Sequence, residues 1–276
     1  MILLDSAREY SHEMISSPWF LLLVGAVGAS LTMVGVWLVA VRIANASYVD
    51  VAWALGIAGT AVAYALLADG STLHRVLVAG LGTIWGVRLG TYLLTRLAGK
   101  EEDGRYQELR RRWAPHANRS FFVFFQAQAA FIVVFSLPFA FVAADQGELT
   151  WLAWAGAALA LMSIAGEMTA DTQLAVWKGD PANKGKTARN GLWGWSRHPN
   201  YFFEWCVWLG FAVYGFAFVD DGGWIAAFSQ AIIFATIWKV TGIPATEDQA
   251  LRSKGEQYRA YQARVSKFVP LPPKSY

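Results

Sequence analysis

Long apolar runs alternate with short polar connectors along most of this chain. A helix that crosses about 30 Å of hydrocarbon needs about 20 largely apolar residues, because each residue adds about 1.5 Å. By that measure the pattern predicts seven transmembrane helices. They cover residues 18–41, 48–68, 74–97, 120–143, 149–170, 200–219 and 224–245.

The composition supports this interpretation and excludes a soluble fold. Of the 276 residues, 55% are hydrophobic and only 16% are charged, which is typical of an all-α integral membrane protein. No linker or repeat divides the chain, so we expect one transmembrane domain over residues 1–276. The N-terminus lacks the pattern of a cleaved signal peptide. The single cysteine, Cys206, excludes an intramolecular disulfide and a multi-cysteine metal site, and we predict no metal.

Positive charge in the connectors predicts how the protein is oriented, because cytoplasmic loops collect Lys and Arg. Basic residues concentrate in three segments, 96–119, 178–197 and 252–274, whereas the intervening connectors are mainly acidic. We therefore expect an outside N-terminus, a cytoplasmic C-terminus, cytoplasmic loops at about 98–119 and 178–199, and a cytoplasmic tail at 246–276. The basic excess follows from topology, so no nucleic-acid partner is expected.

Several ionisable side chains lie within or at the ends of the predicted spans, where charges are costly and mark functional sites by default. They are Asp50, Arg88, Glu167, Asp171, Glu204, Lys239 and Glu247. Glu167 and Asp171 are four residues apart, as are Asn200 and Glu204, so each pair shares one helical face. The alternative for any one of them is an ion pair that holds helices together; for Asp50 the partner would be Arg42 or Arg88.

The connector before the sixth span combines cations, glycines and three tryptophans. Such residues can bind phosphates, allow close backbone approach and stack on a base, as a nucleotide site requires. The alternative is an interfacial loop with anchoring tryptophans and extended lysines. The cations are Lys178, Lys184, Lys186, Arg189 and Arg197.

Five sequence segments together resemble one known family. They are SYVDVAWALG, IWGVRLGTYLLTR, EDGRYQELRRRW, DPANKGKTARNGLWGWSRHPNYFFEW and EDQALRSKGEQYRAYQARVSKFVP. The chain from about residue 46 onward resembles the membrane steroid 5α-reductase superfamily, in particular its compact bacterial branch. The resemblance implies seven helices around a cavity for substrate and cofactor, with NADPH entering from the cytoplasm. It also implies a multi-pass protein of the bacterial inner membrane.

The resemblance implies the following cofactor-binding residues: Asp171, Lys178, Arg189, Trp193, Arg197, His198, Asn200, Tyr201 and Glu204, with Lys239 and Glu247 on the last span. We add Glu167 and Lys186 to this set because they lie on the same face and in the same loop. NADPH is favoured over NADH by the lysine-rich loop.

The implied reaction is reduction of a carbon–carbon double bond conjugated to a ketone, as in 5α-reduction of a 3-oxo-Δ4 steroid. Its main requirement is a hydrogen-bond donor for the growing oxyanion. Asp50 matches the family's catalytic glutamate, and a carboxyl in an apolar pocket can stay protonated. Trp85 stands where the animal enzymes have a catalytic tyrosine, so Tyr48 or Tyr92 would supply the phenol. Trp53, Trp85 and Arg88 would contact the flat lipid substrate.

Two other functions are compatible with the same pattern. One is a membrane methyltransferase of the isoprenylcysteine carboxyl methyltransferase type, which uses S-adenosylmethionine. Because that ligand has no phosphate, it needs the basic loop less. The other is a non-enzymatic lipid-binding protein, for which the clustered charges are an unexplained cost. The pattern does not determine the oligomeric state, and a monomer is compatible with it.

Overall fold

The computed structural model describes residues 17–217, 224–240 and 242–274, and these are almost entirely helical. The first 16 residues, where a signal peptide was predicted to be absent, lie outside the described residues, as does the end of the predicted sixth span. Within the described ranges no strand forms; a single isolated bridge joins Ser196 and Ser266. The chain divides into two compact units, Met1–Thr150 with Phe218–Ile225, and Trp151–Ala217 with Ala226–Tyr276.

The described part of the first unit contains five helices. They are α1 (Pro18–Ile43), α2 (Tyr48–Leu67), α3 (Thr72–Leu97), the short α4 (Gly104–Arg112) and α5 (Ala117–Ala144). Serine side chains cap two of them, because Ser17 accepts from Phe20 N and Ser71 accepts from His74 N. These two apolar helices therefore each begin directly after a serine that caps the first turn.

Small residues let the helices of the first unit pack closely. A Cβ on Gly86 of α3 would lie 2.6 Å from the carbonyl of Ala54 in α2. Interhelical hydrogen bonds add to this packing, since Ser30 Oγ donates to Gln126 Oε1 over 2.7 Å and Tyr64 Oη lies 3.1 Å from Ser136 Oγ. Polar side chains that pair in this way are typical of helix contacts in membranes.

The second unit begins with the long α6 (Trp151–Gly179) and α7 (Pro199–Phe216). They are joined by a loop with 3₁₀ turns at Pro181–Asn183 and Gly191–Gly194. The helix α8 (Trp224–Ala235) runs into a π-helical turn, Thr236–Val240. Two amphipathic helices, α9 (Ile243–Lys254) and α10 (Glu256–Arg264), complete the unit.

Five of the described helices, α1, α2, α3, α5 and α6, are long and apolar enough to cross a membrane. The predicted sixth and seventh spans correspond to α7, with 18 residues, and to α8, whose α-helical part has 12 residues. The seven-span count, the orientation and the single-domain assignment remain predictions.

Two predicted boundaries differ from the structure. The helix α6 continues to Gly179, past the predicted end at residue 170, because its last turns are polar yet still helical. The predicted span 224–245 is interrupted at the π-helical turn, and a new helix starts at Ile243. A Cβ on Gly242 would collide with the carbonyl of Ile237, so the break needs a glycine.

Candidate functional site

Asp50 in the first turn of α2 is held by two side chains of α4. Arg105 Nη2 donates to Asp50 Oδ2 over 3.0 Å, and the Tyr106 hydroxyl donates to Oδ1 over 2.6 Å. The Asp50 side chain remains 28% exposed. Among the described residues, Asp50 pairs with neither Arg42 nor Arg88. These were the two partners that the sequence offered for an ion pair between spans.

The pairing makes Tyr106 a phenol that stays protonated. Burial, followed by the negative charge of Asp50, raises the pKa of Tyr106 well above its usual range. The ring is only 4% exposed and packs against Phe121 and Phe124 of α5, with centroid distances of 6.4 and 6.1 Å. Tyr106 is therefore a fixed donor to the Asp50 carboxylate.

A second set of contacts fixes α4 beside the start of α2. Glu102 accepts two hydrogen bonds from the Arg110 guanidinium, over 2.9 and 2.7 Å, and one from the Ala46 amide over 2.7 Å. The Asp103 amide donates to Ser47 Oγ over 2.8 Å. Burial alone would raise the pKa of Glu102, but Arg110 and the Ala46 amide lower it. The Arg105 and Tyr106 side chains are thus carried by a well-anchored helix.

The predicted substrate-contacting tryptophans meet each other in the first unit. Trp53 and Trp85 stack edge to face at 5.8 Å, and Trp53 also packs against Phe135 at 5.7 Å. Trp85 is fully buried, whereas Trp53 and Arg88 are half-buried. The cluster joins α2, α3 and α5, and Trp53 is the partly exposed ring of the three.

The two phenols that sequence reasoning favoured lie elsewhere. Tyr48 and Tyr92 are half-buried, and the Arg96 guanidinium lies 5.7 Å from the ring of Tyr92. Within the described residues neither phenol donates to Asp50. The side-chain donors to that carboxylate are Tyr106 and Arg105.

In the second unit, one hydrogen bond joins the polar residues of α6 to those of α7. Asn200 Nδ2 donates to Asp171 Oδ1 over 3.3 Å, and Trp208 Nε1 donates to Glu204 Oε1 over 2.9 Å. Glu167, Asp171 and Glu204 are buried, with 5%, 5% and 9% exposure. Three carboxyl groups and an amide are therefore gathered on one helix pair.

The helix pair can approach closely because glycines line its contact. A Cβ on Gly210 of α7 would lie 2.6 Å from the Ala160 amide and 2.8 Å from the Gly156 carbonyl of α6. Close approach of this kind is what small residues provide in membrane helix pairs.

The end of the basic loop folds back onto α6 and α10. Trp193 Nε1 donates to the Ala170 carbonyl over 2.9 Å, and the Leu192 amide donates to Gln173 Oε1 over 2.9 Å. The Tyr261 hydroxyl of α10 donates to the Trp193 carbonyl over 2.5 Å. Trp193 thus anchors the end of the loop to α6 and α10, and its contact with a cofactor stays a prediction.

Glu247 of α9 is the centre of a buried network. Its Oε1 accepts from Arg197 Nε over 2.6 Å and lies 3.3 Å from His198 Nε2, while Oε2 accepts from Gln262 Nε2 over 3.2 Å. Burial alone would raise the pKa of Glu247, but the hydrogen bonds from His198 and Arg197 lower it to about 2. Burial, the largest effect, lowers the pKa of His198, so its ring is neutral at neutral pH.

The remaining predicted cations lie at the surface of the second unit. The Lys178, Lys186, Arg189 and Lys239 side chains are exposed, whereas that of Arg197 is only 9% exposed. Arg189 Nη2 donates to the Gln257 carbonyl over 3.2 Å and its guanidinium lies 5.7 Å from the Tyr261 ring. Tyr201 stacks on His198 at 5.6 Å, and its hydroxyl lies 3.3 Å from Thr246 Oγ1.

Sequence reasoning missed four residues of these networks: Arg105, Tyr106, Gln262 and Tyr261. The first two lie in the EDGRYQELRRRW segment and the last two in the C-terminal segment, so the segments were noticed but their contacts were not. The partners of Arg105, Tyr106 and Tyr261 are 55, 56 and 68 residues away in sequence. Gln262 lies 15 residues from Glu247, in the helix that follows α9, so helical spacing could not predict any of these contacts.

The long apolar helices and their polar interhelical contacts define a multi-pass membrane protein of the all-helical class. The chain belongs to the family described as "Protein of unknown function (DUF1295)", whose model matches residues 36–265. That family is associated with the steroid 5α-reductase-like superfamily. An uncharacterized protein of Schizosaccharomyces pombe is 26% identical over 273 residues, which cover 85% of this chain and 75% of the yeast protein. No solved structure matches.

Proposed function

We propose that this protein is an NADPH-dependent membrane reductase that saturates the carbon–carbon double bond of an enone lipid. The specific reaction would be 5α-reduction of a 3-oxo-Δ4 steroid. The observation that carries the proposal is the hydrogen bond from Asn200 to Asp171, which joins the polar faces of α6 and α7. Association of its family with the steroid 5α-reductase-like superfamily points the same way.

The side chains of the second unit suit a dinucleotide. Lys178 in the last turn of α6 and Lys184 and Lys186 in the loop after it have exposed amines that can bind phosphates. Asn200, Asp171 and Tyr201 offer an amide, a carboxylate and a phenol, which match ribose hydroxyls and a carboxamide. When bound, NADPH supplies the hydride. The chain's own task in this unit is to bind and orient it.

The side chains of the first unit suit the handling of a proton. Asp50 accepts from both the Arg105 guanidinium and the Tyr106 hydroxyl, so we assign Asp50 the task of orienting a donor. In this proposal Tyr106 replaces Tyr48 and Tyr92 as the phenol, and its hydroxyl, which here donates its one proton to Asp50, would turn to donate it to the substrate. Trp53, Trp85 and Arg88 would position the flat substrate. The bacterial inner membrane and membership of the bacterial branch are part of the same proposal.

Thermal unfolding in detergent tests the cofactor assignment first. NADPH should raise the melting temperature of the wild-type protein, and S-adenosylmethionine should not. The Asn200→Ala variant should lose the NADPH effect. Asn190→Ala is a matched control, because Asn190 is an exposed asparagine of the loop that precedes α7, and its side chain makes no capping hydrogen bond.

Oxidation of NADPH in the presence of testosterone or progesterone then tests the reaction. Turnover that requires the steroid supports the reductase. Stabilisation by S-adenosylmethionine alone would overturn the proposal in favour of a methyltransferase. Binding of steroid without any NADPH effect would overturn it in favour of a lipid-binding protein.

A further inference from the structure

The guanidinium of Arg197 is committed to contacts within the second unit. Besides the bond to Glu247, its Nη1 donates to the carbonyls of Gln262 and Val265 over 3.0 and 2.9 Å, and its backbone amide donates to the Ser266 carbonyl over 2.8 Å. Its side chain is 9% exposed and that of Glu247 is 13% exposed. Arg197 therefore holds the loop end and the C-terminal segment together, and the carboxylate of Glu247 balances its charge.

His198 extends the same network to the start of α7. Its backbone amide donates to Ser196 Oγ over 3.1 Å, and that hydroxyl donates to the Phe268 carbonyl over 2.7 Å. Its ring lies parallel to that of Tyr201, with an interplanar angle of 10°. With a neutral ring protonated on Nε2, His198 donates to Glu247 and cannot rotate without breaking that bond. The position of the Tyr201 ring is thereby tied to Glu247.

We propose that Glu247 is a positioning residue, which holds Arg197 and His198 so that Tyr201 and Asn200 at the start of α7 keep the geometry that binds NADPH. This inference rests on the proposed function. It departs from the family-implied assignment of Arg197, His198 and Glu247 to the cofactor itself. Phosphate binding then belongs to the exposed loop amines. The C-terminal segment then affects NADPH binding indirectly, because it holds the end of the loop that leads into α7.

The carboxylate is needed for its charge as well as its shape. Glu247 accepts from a cation and two neutral donors, and its pKa of about 2 keeps it ionised at neutral pH. Glu247→Gln keeps the size of the side chain but leaves Arg197 buried without a counter-charge. Gln262→Leu is a milder change, because it removes only the bond to Oε2. Both variants should weaken the contacts that hold the end of the loop before α7, and Glu247→Gln should weaken them more than Gln262→Leu.

The test is titration of NADPH into the purified, detergent-solubilised full chain, followed by calorimetry. We expect Glu247→Gln to raise the Kd by about ten-fold or more, and Gln262→Leu by a smaller factor. In turnover assays with a 3-oxo-Δ4 steroid, the KM for NADPH should rise in the same order while kcat changes little. Glu256→Gln is the matched control: it removes a carboxylate from the same C-terminal segment, but its side chain is 83% exposed.

The outcomes separate this inference from the proposed function. Wild-type protein that does not bind NADPH would overturn both. NADPH binding by the wild type with an unchanged Kd in Glu247→Gln would overturn the positioning role alone. If Glu247→Gln does not fold, Gln262→Leu decides: an unchanged Kd for that variant counts against the inference, and a raised Kd with unchanged kcat supports it. An equal rise in Glu256→Gln would also overturn it, because the effect would then be one of net charge.

Discussion

Tyr106 donates a 2.6 Å hydrogen bond to Asp50 across a sequence separation of 56 residues. The phenol reaches the carboxylate because α4 is anchored beside the start of α2 by Glu102 and Asp103. The contact brings the EDGRYQELRRRW segment to a residue that the family resemblance had already singled out. Under the proposed function, Tyr106 would take the place of the tyrosine that the resemblance implies at Trp85.

Tyr106→Phe tests this relationship directly. The variant keeps the ring packing against Phe121 and Phe124 but removes the hydroxyl, so steroid-dependent NADPH oxidation should fall by about 10² or more in kcat. The loss should exceed those in Tyr48→Phe and Tyr92→Phe. A larger loss of kcat in Tyr48→Phe or Tyr92→Phe than in Tyr106→Phe would show that the other phenol, and not Tyr106, donates the proton.

The glycine contact between α6 and α7 makes a prediction about stability. In Gly210→Ala the new methyl group would lie 2.6 Å from the Ala160 amide, so the helices must separate, at a cost of about 1–3 kcal/mol. Gly59→Ala in α2 is the control, because its Cβ would meet nothing within 4 Å and alanine favours a helix. Thermal unfolding should show a lower melting temperature for Gly210→Ala only; equal melting temperatures would mean that the contact can relax.

Hydropathy predicted the four long helices of the first unit well, and two of them begin directly after a capping serine, Ser17 and Ser71. It did not predict the polar α4, which lies in the expected loop 98–119. For α6 it predicted the span 149–170 but not the end of the helix at Gly179, since the end of an apolar run marks where lipid contact ends and not where a helix ends. The break before Ile243 had a signal in the Gly-Ile-Pro triplet at 242–244. Partners such as Arg197 and Glu247 could not be predicted, because tertiary packing alone brings them together.

Acid should destabilise the second unit through Glu247. Its pKa in the folded protein, about 2, lies below the ordinary value of 4.5. The stabilising contribution is therefore complete above about pH 4.5 and is lost as pH falls toward 2. The melting temperature of the wild type should fall through this window more steeply than that of Glu247→Gln. Parallel curves would show that the ion pair with Arg197 contributes nothing that depends on protonation.

The exposed loop amines predict a preference between the two nicotinamide cofactors. Because NADPH differs from NADH by one phosphate, cations that bind that phosphate contribute only to NADPH affinity. The double variant Lys178→Ala with Lys186→Ala should weaken NADPH binding about ten-fold or more and leave NADH binding nearly unchanged. Arg252→Ala with Lys274→Ala removes the same charge from exposed positions outside the loop and serves as the control. Calorimetric titration of both cofactors at two salt concentrations measures the effect. Equal weakening of NADPH and NADH would assign the two lysines to the shared diphosphate, and an equal effect in the control pair would reduce their role to long-range charge.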